Sequence, residues 1–223
     1  RTGAVYTFRL DQVLRRFQHA ALYINGGGSL MQDVTSTRSL RYYLFTLDQA
    51  KRAGCKVMMY GCGIGPINRP GNRRRAAATI NRSVDIITLR DDLSRGELTR
   101  MGIQGPDVRL SADPTIILKP ASAALVDEAL EQCGIPPEGN YIGFGLRYWK
   151  GFDDVIDEVV AAAEYAYTAH GLTPLFVPIE YPSDLMPAEI LGGKLTCPHY
   201  MVTKRQSIET TIGILARMKA VTG

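Results

Sequence analysis

Several short stretches of this sequence place polar side chains beside glycines at the end of an apolar run. The first is Asn25–Asp33 (NGGGSLMQD), which follows the apolar run Ala20–Ile24. Glycines behind a buried strand allow backbone N–H groups to approach an anion or a sugar ring closely. The candidate substrate-binding residues of this loop are Gly26, Gly27, Gly28 and Ser29. Asp33 is a candidate catalytic residue, as a base or an anchor for a hydroxyl group.

Two other interpretations of this loop stay open. Its spacing does not match G-x-G-x-x-G, and no acidic residue follows a second strand at the usual place, so a dinucleotide site is disfavoured. A tight turn in which Asp33 is solvated or caps a helix is the structural alternative.

Three further stretches in the first half of the chain also follow apolar runs. Gly61–Pro66 (GCGIGP) has alternating glycines, which favour either a ligand or a closely packed segment. Arg90 stands between a strand and a helix, where a guanidinium suits a phosphate or carboxylate ligand, while Asp91 or Asp92 caps the helix. Asp113 follows the next strand and is a candidate substrate-binding or hinge residue.

The second half of the chain has two stretches of the same kind. Gly143–Lys150 (GFGLRYWK) places Arg147 and Lys150 on either side of the only tryptophan, which indicates a site for a small dianion or a stacking platform for a sugar. A solvated basic loop is the alternative. After the following strand, Glu180 is a candidate catalytic carboxylate and Asp184 a candidate binding residue or a charge at a helix start.

Composition narrows the class of protein. The sequence has 223 residues, is 45% hydrophobic and carries a net charge of +4, which is typical of a globular protein and does not indicate a nucleic-acid partner. The four cysteines lack C-x-x-C spacing and the three histidines lack an i,i+4 partner, so the sequence predicts no metal site. G-x-S-x-G and H-E-x-x-H motifs are absent. No apolar run approaches the roughly 18 residues that span a bilayer.

The elements that must position these residues alternate between strands and helices. Predicted strands lie at 21–24, 56–60, 85–89, 108–110, 141–146 and 172–177, with another starting at 220; predicted helices lie at 36–53, 72–83, 91–101, 123–133, 152–170, 183–190 and 205–218. This order predicts an α/β protein with parallel sheets. A proline-containing stretch near residue 120 divides it into two Rossmann-like domains, 1–119 and 120–223, which we expect to face each other across a cleft.

The ordered set of motifs resembles a known family. GGGSLMQD, GCGIGPI, LRDDLS, SADP, GLRYWK and VPIEYPSD together resemble the bacterial polysaccharide pyruvyl transferases, in particular those that act on secondary cell wall polymers anchoring surface-layer proteins. The resemblance covers nearly the whole chain. It implies a glycosyltransferase-B-like fold and transfer of a pyruvyl group from phosphoenolpyruvate to an N-acetylmannosamine residue of a lipid-linked precursor, giving a 4,6-ketal. Phosphoenolpyruvate would be the donor substrate, and no cofactor is expected.

The same resemblance implies roles for the candidate residues. Arg147, Lys150 and Arg90 would bind the phosphate and carboxylate of the donor, with the donor side in 120–223 and the acceptor side in 1–119. Asp33, or failing that Glu180, would deprotonate a sugar hydroxyl. We expect a cytoplasmic protein with at most a peripheral contact at the inner face of the membrane; a homo-oligomer is compatible with the sequence.

The sequence lacks one motif of this family, and two other functions stay open. The family's Arg-Leu-His motif, with its candidate catalytic histidine, would follow residue 223, and the family's first strand with its glycine-containing loop is also absent, so we expect the sequence to be truncated at both ends. A nucleotide-sugar glycosyltransferase or epimerase of the same fold is one rival. A non-catalytic glycan-binding module is the other.

Overall fold

A computed structural model describes residues 3–223, which form two compact units. The first unit ends at Ile117 and the second begins at Leu118, two residues before the boundary predicted after residue 119. Each unit is described by itself.

The first unit alternates helices and strands. Its elements are α1 (Leu10–Phe17), β1 (Leu22–Gly26), α2 (Thr37–Arg52), β2 (Lys56–Cys62), α3 (Pro70–Ser83), β3 (Ile86–Leu89), α4 (Asp92–Arg100), β4 (Asp107–Leu110) and a 3-10 turn (Pro114–Ile117). Side chains fix two of the helix starts: the Ser36 hydroxyl accepts a hydrogen bond from Ser39 N, and the Asp91 carboxylate accepts one from Ser94 N.

The four strands of the first unit form one parallel sheet in the order β1-β2-β3-β4. Side chains alternate between its faces, so Val57 and Met59 point into a core shared with the helices and are fully buried. The other face carries exposed Leu22, Ile24 and Tyr60. The carboxyl ends of the strands place residues 26–29, 90 and 113 along one edge of the sheet.

The second unit has the same kind of alternation. Its elements are α5 (Ala123–Glu131), β5 (Tyr141–Phe144), α6 (Ile156–His170), β6 (Thr173–Phe176), α7 (Leu185–Gly192), β7 (Tyr200–Met201), α8 (Ile208–Ala216) and β8 (Ala220–Thr222). The strands form a parallel sheet in the order β7-β6-β5-β8. Both faces of this sheet are covered, because Tyr141 and Leu175 belong to one buried cluster while Phe144 and Phe176 belong to another.

Most predicted elements are present, with ends that differ by a few residues. Three elements were not predicted: α1, although its Leu10, Val13, Leu14 and Phe17 have helical spacing, the two-residue strand β7, and the 3-10 turn at Pro114–Ile117. The predicted start of α6 at residue 152 is wrong, because residues 151–154 form a turn in which Phe152 N donates to Trp149 O. Among residues 3–223 there is no helix with the length and apolar character needed to cross a bilayer.

Candidate functional site

In the glycine loop that follows β1, the first glycine packs closely against β2, whereas the next two have free space beside them. A Cβ atom at Gly26 would lie 2.6 Å from the carbonyl oxygen of Tyr60, so this position requires glycine for close approach to β2. Gly27 and Gly28 have φ values of 79° and 72°, and no atom lies within 4 Å of a Cβ built at either. The loop therefore turns in the left-handed region and leaves free space above its second and third glycines.

Backbone hydrogen bonds pin part of this loop and leave part of it available. Gly27 N donates to Tyr60 O at 3.0 Å, and Gly63 N donates to Gly28 O at 3.1 Å. In the described part of the chain, the N–H groups of Gly28 and Ser29 have no hydrogen-bond acceptor, and both residues are exposed. Two adjacent free N–H groups at the carboxyl edge of a parallel sheet form a donor pair suited to an anion or a sugar oxygen.

Arg90 extends this donor set from the end of β3. Its Nη2 donates to Ser29 Oγ at 2.9 Å and its Nη1 to Asp113 Oδ2 at 3.1 Å. The other Asp113 oxygen accepts from the backbone N and hydroxyl of Thr115; these bonds, together with Arg90, hold the pKa of Asp113 below its usual value. The structure thus brings Gly26–Gly28, Ser29, Arg90 and Asp113 together, as the sequence predicts for strand-end residues.

Asp33 lies apart from this group, at the start of α3. One of its oxygens accepts from Asn68 N at 2.7 Å; the other accepts from Arg69 N at 3.1 Å and Asn72 Nδ2 at 2.9 Å. Its side chain is only 8% exposed. Burial by itself would raise the pKa of Asp33, but these hydrogen bonds outweigh burial and lower it.

This environment disfavours the predicted role of Asp33 as a base. A base near neutral pH needs a raised pKa and a free oxygen facing substrate. Asp33 instead satisfies the donors where α3 begins, which is the structural alternative that the sequence left open. The assignment of Asp33 to catalysis stays a prediction, and its contacts argue against it.

In the second unit, Arg147 and two carboxylates form a cluster behind β5 and β6. Arg147 Nη2 lies 2.6 Å from Glu180 Oε2, and Arg147 Nε lies 3.5 Å from Asp184 Oδ1. The side chains of Arg147 and Glu180 are 55% and 59% exposed, so part of the guanidinium faces solvent. An Arg held on one side by carboxylates presents its remaining N–H groups in a fixed geometry.

Asp184 is the buried member of this cluster and is 3% exposed. Its Oδ2 accepts from Ile179 N at 3.2 Å and Glu180 N at 2.7 Å, which fixes the turn that carries Glu180. Its Oδ1 makes no hydrogen bond among the described residues and forms only the ion pair with Arg147 Nε at 3.5 Å. Asp184 makes no side-chain cap to α7, so it acts on the turn before that helix rather than on the helix start.

Lys150 and Trp149 continue the Arg147 loop. Both are exposed, with Trp149 at 61%, and within the described residues Lys150 has no carboxylate within 4 Å. The loop therefore presents a free ammonium group and an open indole face three and two residues after Arg147. This arrangement fits the predicted anion or sugar contact, although it equally fits a solvated loop.

The alternating glycines at the end of β2 and just after it have a packing role, which the sequence left open as one of two interpretations. Gly61 N donates to Thr88 Oγ1 and Ile64 N donates to Ser94 Oγ, both at 2.8 Å. No motif in the sequence indicates that Thr88 or Ser94 would bind these backbone groups. A Cβ at Gly61 would overlap Pro114, and one at Gly63 would lie 2.6 Å from Ser29 Oγ. A side chain at position 63 would therefore displace the contact between Ser29 and Arg90.

Cys62, the last residue of β2, is fully buried. Burial raises the pKa of its thiol and the nearby Arg90 offsets this only in part, so that the pKa lies at about 11. The thiol is therefore protonated and unreactive at neutral pH. Across the part of the chain that the structure describes, no group of three or more His, Cys, Asp or Glu side chains could hold a metal ion.

Comparison with known proteins supplies a family match and a fold match. The family model for polysaccharide pyruvyl transferase matches residues 4–223, nearly the entire chain. No curated protein matches this chain in sequence.

Crystal structures of HepE from Anabaena are among the solved structures with a similar fold. The complex of HepE with UDP-glucose matches with a TM-score of 0.56 and 14% identity, over 95% of this chain and 55% of HepE. The complex with UDP matches with a TM-score of 0.54 and 16% identity, over 95% of this chain and 56% of HepE. At this identity the likeness concerns the fold, and it confirms the predicted α/β, glycosyltransferase-B-like class. The chain spans about half the length of these matched structures.

Proposed function

The chain belongs to the polysaccharide pyruvyl transferase family, and we propose that it transfers the pyruvyl group of phosphoenolpyruvate to an N-acetylmannosamine residue of a lipid-linked cell wall polysaccharide precursor, forming a 4,6-ketal. The family match supports a transferase that modifies a polysaccharide. The donor, the acceptor sugar and its lipid carrier are the proposed part.

The proposal rests on the position, ion pairs and exposure of Arg147. It lies at the carboxyl end of β5 in the second unit, is anchored by Glu180 and Asp184, and keeps half of its side chain exposed. Phosphoenolpyruvate carries a carboxylate and a phosphate, and a fixed guanidinium binds either group through two parallel hydrogen bonds. Lys150, three residues further along the same loop, supplies the second positive charge for this donor.

The proposed reaction balances without a cofactor. The methylene carbon of phosphoenolpyruvate takes up a proton and becomes a methyl group, and the bond from its C2 atom to the phosphate oxygen breaks. Two sugar hydroxyl oxygens form bonds to C2 in turn and lose their protons. One of these protons balances the one taken up by the methylene carbon, and the other leaves with phosphate.

Glu180 is the carboxylate that we assign to one of the hydroxyl deprotonations. It is exposed, whereas Asp33 is buried and fully hydrogen-bonded. In the structure, Glu180 is paired with Arg147. A donor carboxylate that takes over Arg147 would release Glu180, making a base available only when donor is bound.

The acceptor is assigned to the carboxyl edge of the first sheet. The free N–H groups of Gly28 and Ser29 donate to sugar oxygens, and Asp113 accepts from a hydroxyl when its contact with Arg90 opens. Arg90 supplies a positive charge there for an anionic group of the acceptor.

Nucleotide-sugar transfer is the second candidate, since HepE, which shares the fold, was crystallised with UDP-glucose. Thermal-shift measurements separate the two functions. The pyruvyl-transfer proposal predicts that phosphoenolpyruvate raises the melting temperature and that UDP-glucose does not. The opposite pattern would replace the proposal by nucleotide-sugar transfer.

Substitution at Arg147 tests the donor site in the same protein. Arg147→Ala is expected to lower the turnover of phosphoenolpyruvate by about 100-fold, the usual effect of losing one positioned charged donor. Arg205→Ala removes an exposed arginine from the same unit and serves as the matched control. Equal turnover by the two variants would refute the role of Arg147.

A further inference from the structure

A groove on the first unit lies between the segment before α1 and the outer side of α2. Its cavity of about 670 Å³ is lined mainly by Phe8, Leu10, Tyr42 and Phe45, together with Arg38 and Arg41. The Tyr42 hydroxyl donates to Thr7 O at 2.9 Å, and the rings of Phe8 and Tyr42 are 5.9 Å apart, so the two walls of the groove are joined. This groove is separate from the strand-end residues of the candidate site.

The aromatic rings at this groove are unusually accessible. Tyr6 and Phe8 are 68% and 62% exposed, and their rings pack edge to face at 5.6 Å. Phe45 is also exposed, one helical turn beyond Arg41. Contiguous exposed aromatic surface of this kind marks an interaction site rather than ordinary solvent-facing side chains.

Positive charge without local compensation accompanies these rings. Arg38 and Arg41 are exposed on one face of α2, and among residues 3–223 no carboxylate lies within 4 Å of either. A neighbouring cavity of about 200 Å³ shares Arg41 and Phe45 and adds Arg75 from α3. Its one acidic residue, Asp48, is already paired with Arg52 and Arg82.

From this combination we propose that the α2 groove rests on a lipid bilayer that contains anionic phospholipids. Aromatic rings beside arginines suit the interface of such a bilayer, where the rings enter the acyl boundary while the guanidinium groups bind lipid phosphates. The inference does not depend on the pyruvyl-transfer proposal, because it concerns binding alone.

Vesicle sedimentation tests the proposal with the intact protein. We expect the protein to bind vesicles of equal parts phosphatidylglycerol and phosphatidylcholine and to dissociate from them as the salt concentration is raised. We expect no binding to vesicles of pure phosphatidylcholine. Arg38→Ala and Arg41→Ala should each weaken binding by about 5-fold, and Phe8→Ser by at least about 10-fold. Equal binding to both kinds of vesicle, or to neither, would overturn the proposal.

Matched variants locate the surface. Arg95→Ala combined with Arg109→Ala removes two charges elsewhere on the same unit, and Leu93→Ser removes an apolar side chain that is 84% exposed on α4. Both should bind like the parent; losses equal to those of the groove variants would show that the surface was wrongly placed. In a Phe8→Trp variant, we expect a blue shift of tryptophan emission on adding the anionic vesicles that exceeds any shift of the parent protein, in which only Trp149 emits; a shift no larger than that of the parent contradicts insertion of this ring.

Discussion

Replacing Asp33 by alanine separates a structural from a catalytic role for this carboxylate. The side chain accepts hydrogen bonds from Asn68 N, Arg69 N and Asn72 Nδ2, at 2.7 to 3.1 Å, where α3 begins. The Asp33→Ala variant leaves all three donors without their partner in a largely buried place. We therefore expect loss of stability around α3 as the main effect.

The size of that loss follows from the number of bonds. Three hydrogen bonds at about 1 kcal/mol each give about 3 kcal/mol, or about a 100-fold change in the local opening constant. Hydrogen exchange of the amides in residues 70–83 measures this change directly. Asp91→Ala, which removes the single capping bond to Ser94 N, is the matched control and should change exchange in α4 by about 1 kcal/mol.

Two results would refute this reasoning. One is unchanged exchange in α3 after Asp33→Ala, which would mean that the hydrogen bonds contribute nothing to stability. The other is complete loss of pyruvyl transfer by a variant whose exchange matches that of the parent protein. That second outcome would restore Asp33 as the catalytic base.

Three further predictions concern pH, thiol reactivity and the buried carboxylate of the second unit. Lys51 lowers the pKa of Asp85, and hydrogen bonds that outweigh burial lower the pKa of Asp33. The stability that these two carboxylates contribute is therefore complete above their ordinary pKa of 3.8 and is lost as the pH falls through their lower pKa values in the folded protein. The urea midpoint of the first unit should be constant down to about pH 5 and then fall, and it should fall less steeply in Asp85→Asn. Iodoacetamide at neutral pH should modify the partly exposed Cys133 and leave Cys62 unmodified by mass spectrometry, and rapid labelling of Cys62 would contradict its burial. Asp184→Asn keeps an acceptor for the turn but removes the charge beside Arg147, so the KM for phosphoenolpyruvate should rise about 10-fold while the melting temperature changes little; an unchanged KM would show that Asp184 does not position Arg147.

The sequence predicted the order of strands and helices because its apolar runs and helical spacings are regular. Strand ends then located Arg90, Ser29 and Asp113 on one edge of a sheet, since parallel strands all end on the same side. The helix α1 was missed although its apolar spacing is regular, and β7 because two residues are too short for any periodicity.

The role of Asp33 could not be predicted for a different reason. Its partners lie 35 to 39 positions away in sequence, so nothing local distinguishes a carboxylate that caps a distant helix from one that faces substrate. The contact of Arg147 with Glu180 and Asp184 is similarly non-local, although both ends of it follow strands. Strand-end position therefore indicates which side chains gather, whereas the state of each carboxylate depends on tertiary hydrogen bonds.

Donor-dependent modification of the acceptor tests the central proposal most directly. The protein is incubated with phosphoenolpyruvate and a synthetic lipid-linked N-acetylmannosamine acceptor, and the released phosphate and the mass of the acceptor are followed together. We predict one phosphate released for each acceptor that gains a pyruvate ketal, with both signals lost together in Arg147→Ala. Modification of the same acceptor by UDP-glucose, with no phosphate released from phosphoenolpyruvate, would contradict the account.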